Sequence, residues 1–207
     1  MEPRQMSAVI LAGGKSSRMG RDKLFLPLGG KPVIEHLLDV VLALFAHCIV
    51  VTGDPEAYRG FAVEVVPDQI VGSQKNALTG IHAGLTKAPT PYAFVVAGDM
   101  PFLVPGVARY LCSQADGFDV TVPLEGDYYQ PLCAVYHKNC LPFMERLLLL
   151  QRFKVTSFFA DVRMRAIISA ELRPFDPEAI SFLNVNTPED YRLAQERLRV
   201  QKQEREN

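Results

Sequence analysis

Short, unalternated apolar runs in this chain are separated by stretches whose apolar positions recur every three to four residues. Val9 to Ala12 is the first such run, ended by Gly13-Gly14. Its lack of alternation predicts a strand buried on both faces. Over residues 33–45, Val33, Leu37, Val40, Val41 and Leu44 fall on one face of a helix. Cys48 to Val51, Val63 to Val66, Tyr92 to Ala97 and Phe118 to Val122 read as further strands. Helices are expected over 77–85, weakened by Gly80 and Gly84, and over 104–113. Turn residues close the strands: Thr52-Gly53-Asp54-Pro55, Pro67-Asp68 and Gly98-Asp99-Met100-Pro101.

This alternation predicts an α/β fold: a mostly parallel central sheet with helices on both faces. Ligands of such sheets gather at the carboxyl ends of the strands. Gly13-Gly14, Asp68 and Asp99 each follow a predicted strand. The second half is less regular. Leu132 to Tyr136 and Phe182 to Val185 are expected strands, and Leu141 to Leu150 an apolar helix. Thr187-Pro188-Glu189-Asp190 opens another helix, with a capping hydroxyl, proline in the first turn and early acids. Without an internal repeat or long linker, residues 1–207 are expected to form one domain.

Composition narrows the function. An apolar fraction of 48% against 22% charged excludes wholesale disorder. Lys and Arg number 22 and Asp and Glu 23, a net charge of −1, so any anion site must be local rather than a global basic field. Cys48, Cys112, Cys133 and Cys140 lack CxxC spacing and sit in apolar runs, as buried free thiols do. The run Ala8 to Ala12 is too short for a signal core or a membrane span, and Leu147 to Leu150 reads as core. The expectation is a soluble cytoplasmic protein.

The stretch Leu11 to Lys23, LAGGKSSRMGRDK, carries the chemistry. Glycines let backbone N–H groups approach an anion, and Lys15, Arg18 and Lys23 can neutralise it. This is the composition of a phosphate cradle. It is not a P-loop, whose first glycine would fall on Val9, nor a dinucleotide fingerprint, whose second glycine is replaced by Lys15. A plain solvated strand-to-helix loop has the same composition.

Together with Lys31-Pro32, Asp68, Gly98-Asp99-Met100-Pro101, Gln130-Pro131-Leu132 and Phe182 to Glu189 (FLNVNTPE), this stretch resembles the nucleotidyltransferases that join an NTP to a phosphorylated acceptor. More narrowly, it resembles the MobA-type molybdenum cofactor guanylyltransferases. The resemblance implies a Rossmann-like nucleotidyltransferase fold with a nucleotide-binding half, about 1–120, and an acceptor-binding half, about 121–200. It implies GMP transfer from GTP to the molybdopterin form of the molybdenum cofactor, with Mg²⁺. Further partners it implies are molybdoenzyme apoproteins and a GTP-binding accessory protein. By the same resemblance Leu11, Ala12 and Gly13 line the guanine site, Lys23 meets phosphates, Asp68 contacts the nucleotide and Asp99 holds the metal. Gly14 is a further nucleotide-binding candidate, and the Arg18 guanidinium suits a bidentate grip on phosphate. Gln130, Asn184 and Asn186 face the acceptor, or one of them assists the metal; the plain alternative is that the two asparagines satisfy backbone groups before the last helix.

Other readings compete. Asp99 could cap the helix after Pro101, and Asp68 could be a turn residue. A cytidylyltransferase for the same pterin, or an enzyme acting on a sugar or polyol phosphate, would use similar metal chemistry. In the resemblance, Gly13 goes with guanine, where the cytosine enzymes carry alanine. A GTP-binding regulatory protein would release no pyrophosphate. The chain also departs from the family pattern: Lys75 to Gly80 replaces a Gly-Pro-Leu block, and Thr52 stands where Asn is usual.

Overall fold

The computed structural model describes residues 1–13, 23–67 and 76–206, with side chains as far as Val200. Its strands and helices, in chain order, are β1 (Ser7–Leu11), β2 (Pro27–Leu28), β3 (Lys31–Pro32), α1 (Val33–Leu44), β4 (His47–Thr52) and β5 (Glu64–Pro67). They continue with α2 (Ala77–Lys87), β6 (Tyr92–Ala97), α3 (Pro105–Ser113), β7 (Val120–Glu125), β8 (Tyr128–Tyr129) and β9 (Cys133–His137). The chain ends through α4 (Leu141–Leu149), β10 (Met164–Ile168), α5 (Ser169–Leu172) and α6 (Pro188–Glu206).

The main sheet runs β10-β7-β9-β6-β1-β4-β5, with β8 paired to β7. The pairs β1–β4, β1–β6, β4–β5 and β7–β10 are parallel. β9 lies antiparallel between β6 and β7. This is the mostly parallel sheet expected from the unalternated runs.

Successive residues of each central strand feed opposite cores, as the period of two requires. Ala8 and Ile10, Val50, Phe94 and Val96 join Leu37, Val41, Val107 and Leu111 from α1 and α3. Val9, Ile49 and Val51, Ala93 and Val95 join Leu78, Ile81, Leu85, Met144 and Leu147 from α2 and α4. Both faces are therefore covered, which is why these strands carry so few polar residues. Gly84 follows from the same packing. A Cβ there would come within 2.2 Å of Val9 Cγ1, so the glycine lets α2 lie directly on β1. The residue that weakens the helix in isolation seats it in the fold.

A third, smaller cluster (Leu28, Val33, Phe102, Val185 and Ala194) fastens α6 to the β2–β3 hairpin. The hairpin turns through Gly29 and Gly30 at φ +62° and +104°, a conformation L side chains rarely adopt. The Tyr191 hydroxyl donates to the Pro27 carbonyl across the same contact.

Three expectations need correction. Phe182 to Val185 forms no strand: Ile180–Phe182 is a 3₁₀ turn entered through Ala179 at φ +53°, followed by irregular backbone. The physical reason is that β6 already has β1 and β9 on its two sides and offers no open ladder. Second, Leu147 is core, but Leu149 and Leu150 are 86% and 57% exposed at the end of α4. Third, α3 begins at Pro105 with Val104 as its N-cap, so Asp99 does not cap it. The four cysteines are all buried free thiols, as expected. Among the described residues, no helix is long and apolar enough to cross a membrane.

Candidate active site

The carboxyl ends of β1 and β6 lie side by side. The Gly98 N–H donates to the Leu11 carbonyl at 2.9 Å, and the Ala12 N–H donates to Val51 at 2.9 Å. Gly98 allows the close approach, since a Cβ there would lie 3.2 Å from Leu11 O and from the Ile34 and Leu24 side chains. Asp99 is thus held at the strand ends by backbone geometry, with its side chain 16% exposed.

Opposite Asp99 stands Lys23, at the start of the 3₁₀ turn Lys23–Phe25. The next residue, Leu24, is buried, and Phe25 meets the Tyr58 ring edge-on at 5.4 Å. These contacts anchor the turn and direct the lysine into the cleft. Lys23 Nζ donates to Asp99 Oδ2 at 2.6 Å and to Asn186 Oδ1 at 2.6 Å. One ammonium therefore bridges a carboxylate from the sheet and an amide oxygen from the C-terminal segment.

That segment is tied down along its length. Asp176 is buried, and its carboxylate accepts the Ile180 and Ser181 N–H groups at 2.9 and 2.8 Å. Ser181 Oγ accepts the Val104 N–H at 3.0 Å, satisfying an amide at the start of α3. The Val185 N–H donates to the Asp99 carbonyl at 2.8 Å, so the backbone of Asp99 is itself the docking point. At the far end Asp190 Oδ2 accepts the Asn186 and Thr187 N–H groups at 3.0 and 2.8 Å. Those bonds, the Thr187 hydroxyl and the nearby Lys23 charge hold the Asp190 carboxyl below its usual range.

A cavity of about 260 Å³ lies where these parts meet, lined by Leu11, Lys23, Ala97, Asp99, Asn184 and Asn186, with Leu24, Ala77 and Leu132. The structure therefore gathers Leu11, Lys23, Asp99, Asn184 and Asn186 at one place, from both halves of the chain. Ala12 and Gly13 follow directly from the cavity wall; Ala12 is buried and Gly13 exposed. Gln130 is not among the lining residues; its N–H bonds the Pro123 carbonyl at 2.9 Å. Gly14, Arg18 and Asp68 lie outside the described residues.

Sequence reasoning missed Asp190 as part of this arrangement, because an acid in a first helical turn already has an explanation. It also missed Ala77 and Leu132 as walls; as small and apolar residues they carry no chemical signal.

The arrangement suits polyanion chemistry. Asp99 and Asn186 present hard oxygen donors to one cation position, which the Lys23 ammonium takes. Among the described residues no group of three or more His, Cys, Asp or Glu side chains could hold a metal without help. One carboxylate with an amide oxygen fits Mg²⁺, which takes few protein ligands and completes its shell with phosphates and water.

Comparison with known proteins agrees with this geometry. Residues 8–200 match the model of the MobA-like NTP transferase domain. A probable molybdenum cofactor guanylyltransferase from Pelotomaculum thermopropionicum is 41% identical over 90% of this chain and 90% of its own. Another, from Natranaerobius thermophilus, is 38% identical over 93% of this chain and 96% of its own. Among solved structures, molybdopterin-guanine dinucleotide biosynthesis protein A from Archaeoglobus fulgidus superposes with a TM-score of 0.79 at 30% identity, covering 92% of this chain and 97% of that one. A match over nearly the whole chain, to the family model and to full-length relatives alike, shows that this chain belongs to the MobA-like NTP transferase family.

Proposed function

We propose that this nucleotidyltransferase moves GMP from GTP to the terminal phosphate of the molybdopterin form of the molybdenum cofactor, forming the guanine dinucleotide and pyrophosphate. The observation that carries the reading is the Lys23–Asp99–Asn186 cluster, where the strand-end bank meets the C-terminal bank. Near full-length likeness to the guanylyltransferases supplies the substrate pair.

In this reaction an acceptor phosphate oxygen bonds to the α-phosphorus of GTP, and the bond from that phosphorus to the β-phosphate bridging oxygen breaks. The attacking group is already anionic, so no general base is needed. Charge grows on the non-bridging oxygens and on departing pyrophosphate, and preorganised cations stabilise it. Lys23, released from Asp99 by the incoming phosphates, supplies a point charge there. Arg18, from the preceding loop, adds a forked donor suited to phosphate. Asp99, with Asn186 beside it, would hold Mg²⁺, which would neutralise phosphate charge and polarise the reacting phosphorus. Leu11 to Gly14 and Asp68 take the nucleoside, and Asn184, Asn186 and Gln130 face the acceptor. The nucleotide side is assigned to about 1–120 and the acceptor side to about 121–200 of a single domain. Buried, unpaired cysteines suit a reducing cytoplasm.

The test offers each of the four NTPs with Mg²⁺ and molybdopterin, and measures the dinucleotide and pyrophosphate formed. GTP should be preferred by at least ~10-fold, since each buried polar group left unpaired by a wrong base costs ~1–3 kcal/mol. Preference for CTP would make the protein a cytidylyltransferase. Absence of pyrophosphate with every NTP would refute transfer.

A further inference from the structure

Asp190 is the residue through which the C-terminal bank keeps its shape at the cleft. It lies in the first turn of α6, and its Oδ2 accepts two consecutive backbone amides, Asn186 at 3.0 Å and Thr187 at 2.8 Å. Its own N–H donates to Thr187 Oγ1 at 3.1 Å, closing a reciprocal turn. The Thr187 N–H is one of the donors that a helix start leaves without an intrahelical partner; the Asn186 N–H lies one residue further out along the chain. One of the two belongs to the residue whose side chain reaches Lys23. A continuous line of bonds therefore runs from Asp190 through the Asn186 backbone and Asn186 Oδ1 to Lys23 Nζ and Asp99.

Ordinary helix capping would require only the bond to Thr187. The additional bond to Asn186 restricts the backbone that carries the amide into the cleft. Asn186 is exposed and Val185 behind it is buried, so the backbone here is held by Val185 on one side and Asp190 on the other. Asp176 performs a similar bonding task at Ile180 and Ser181, but it is buried and remote from Asn186 in sequence. Asp190 is only partly buried, so its removal perturbs the cleft with little cost to the core.

We propose that Asp190 is a positioning residue for nucleotidyl transfer: it fixes the Asn186 backbone so that the Asn186 amide oxygen faces Lys23 and Asp99. The inference rests on reading those three residues as the transfer site.

A double-mutant cycle tests it, using full-length protein and reading kcat, KM for GTP and melting temperature for Asn186→Ala, Asp190→Ala and the pair. Each single change should lower kcat about 10-fold, the lower end of what loss of a supporting shell costs, with KM for GTP changed less than about twofold. The pair should be no worse than Asn186→Ala alone, within about twofold, because Asp190 acts through Asn186. Multiplied losses of about 100-fold, or an unimpaired Asp190→Ala, would overturn the positioning role while leaving the site standing. An unimpaired Asn186→Ala would overturn both the role and Asn186's place in the site. Should Asp190→Ala fail to fold, Asp190→Ser keeps a polar group at the helix start but is too short to take both amides. It should fold, with a kcat between wild type and Asn186→Ala; wild-type kcat in that folded variant would count against the inference.

Discussion

The two banks of the cleft are built by different means. On the sheet bank, Leu11 and Asp99 stand at the ends of parallel strands whose side chains are buried on both faces. Their positions follow from strand register, with Ile10 opposite Val96 and Leu11 opposite Ala97. On the C-terminal bank, Asn184 and Asn186 lie on irregular backbone outside any ladder, held by the carboxylates of Asp176 and Asp190 and by one bond to the Asp99 carbonyl. The first bank is placed by the main core; the second is placed by a few polar bonds together with the small apolar cluster through Val185. Placing one reacting partner on each would let the nucleotide side stay fixed while the acceptor side is varied by changes that leave the core alone.

The strongest way to break this comparison is at Asp99, where the banks join. Asp99→Asn should reduce GMP transfer by about 10²–10³-fold, the scale lost with a preorganised electrostatic group. The Val185 bond uses the backbone carbonyl, so the fold and the C-terminal bank should survive. Near-wild-type turnover with an unchanged melting curve would remove Asp99 from the chemistry.

Lys23→Ala comes next. A bond to a charged group contributes ~1.5–3 kcal/mol, so GTP affinity should fall about 10- to 100-fold by equilibrium binding. The same change frees Asp99 and Asn186 from the ammonium they share. Unaltered affinity and rate would show that the bridge between the banks has no part in nucleotide binding.

The sheet bank was legible in the sequence because its causes are local. Unalternated runs reflect burial of consecutive residues on both faces of the sheet, and Gly98-Asp99 marks the end of the buried strand β6. The C-terminal bank is legible only as the FLNVNTPE pattern, which does not reveal its conformation. Phe182 to Val185 looks like a strand by side chains, but whether a strand forms depends on an open neighbour, and β6 has none. Asp190 was visible as a helix-start acid; its second bond, to Asn186, arises only from the fold. Gly84 looks like a weakness in the sequence, because a helix considered alone does not show that Val9 lies 2.2 Å from where its Cβ would be.

Gly84→Ala sharpens the comparison from the structural side. Overpacking against Val9 should destabilise the protein by roughly 1–3 kcal/mol in denaturant unfolding. Transfer per folded molecule should change little, as the clash is in the core beneath β1 rather than in the cleft. Unchanged stability would mean that α2 can lift from the sheet without cost.

For transfer itself, the smallest effect concerns the thiols, which lie outside the cleft. Burial pushes Cys48 up to about 11 and Cys112, Cys133 and Cys140 up to about 12, from an ordinary 9.0. Thiolate is therefore scarce in the native protein at pH 8, and a thiol-specific reagent should leave native protein unlabelled while labelling all four residues after denaturation. Because the folded values are raised, this contribution to stability is complete below pH 9 and declines as pH rises toward 12. Unfolding midpoints at pH 8 and 10.5 read that decline.

The central claim is that the two banks act together to move a nucleotidyl group, and the fate of the α-phosphate tests it most directly. GTP labelled at the α-phosphate is incubated with molybdopterin, Mg²⁺ and either wild-type protein or Asp99→Asn. The account predicts label in the dinucleotide product, one unlabelled pyrophosphate released per label transferred, and loss of both with Asp99→Asn. Label recovered as GDP or free GMP, or label transfer that persists undiminished in Asp99→Asn, would contradict it.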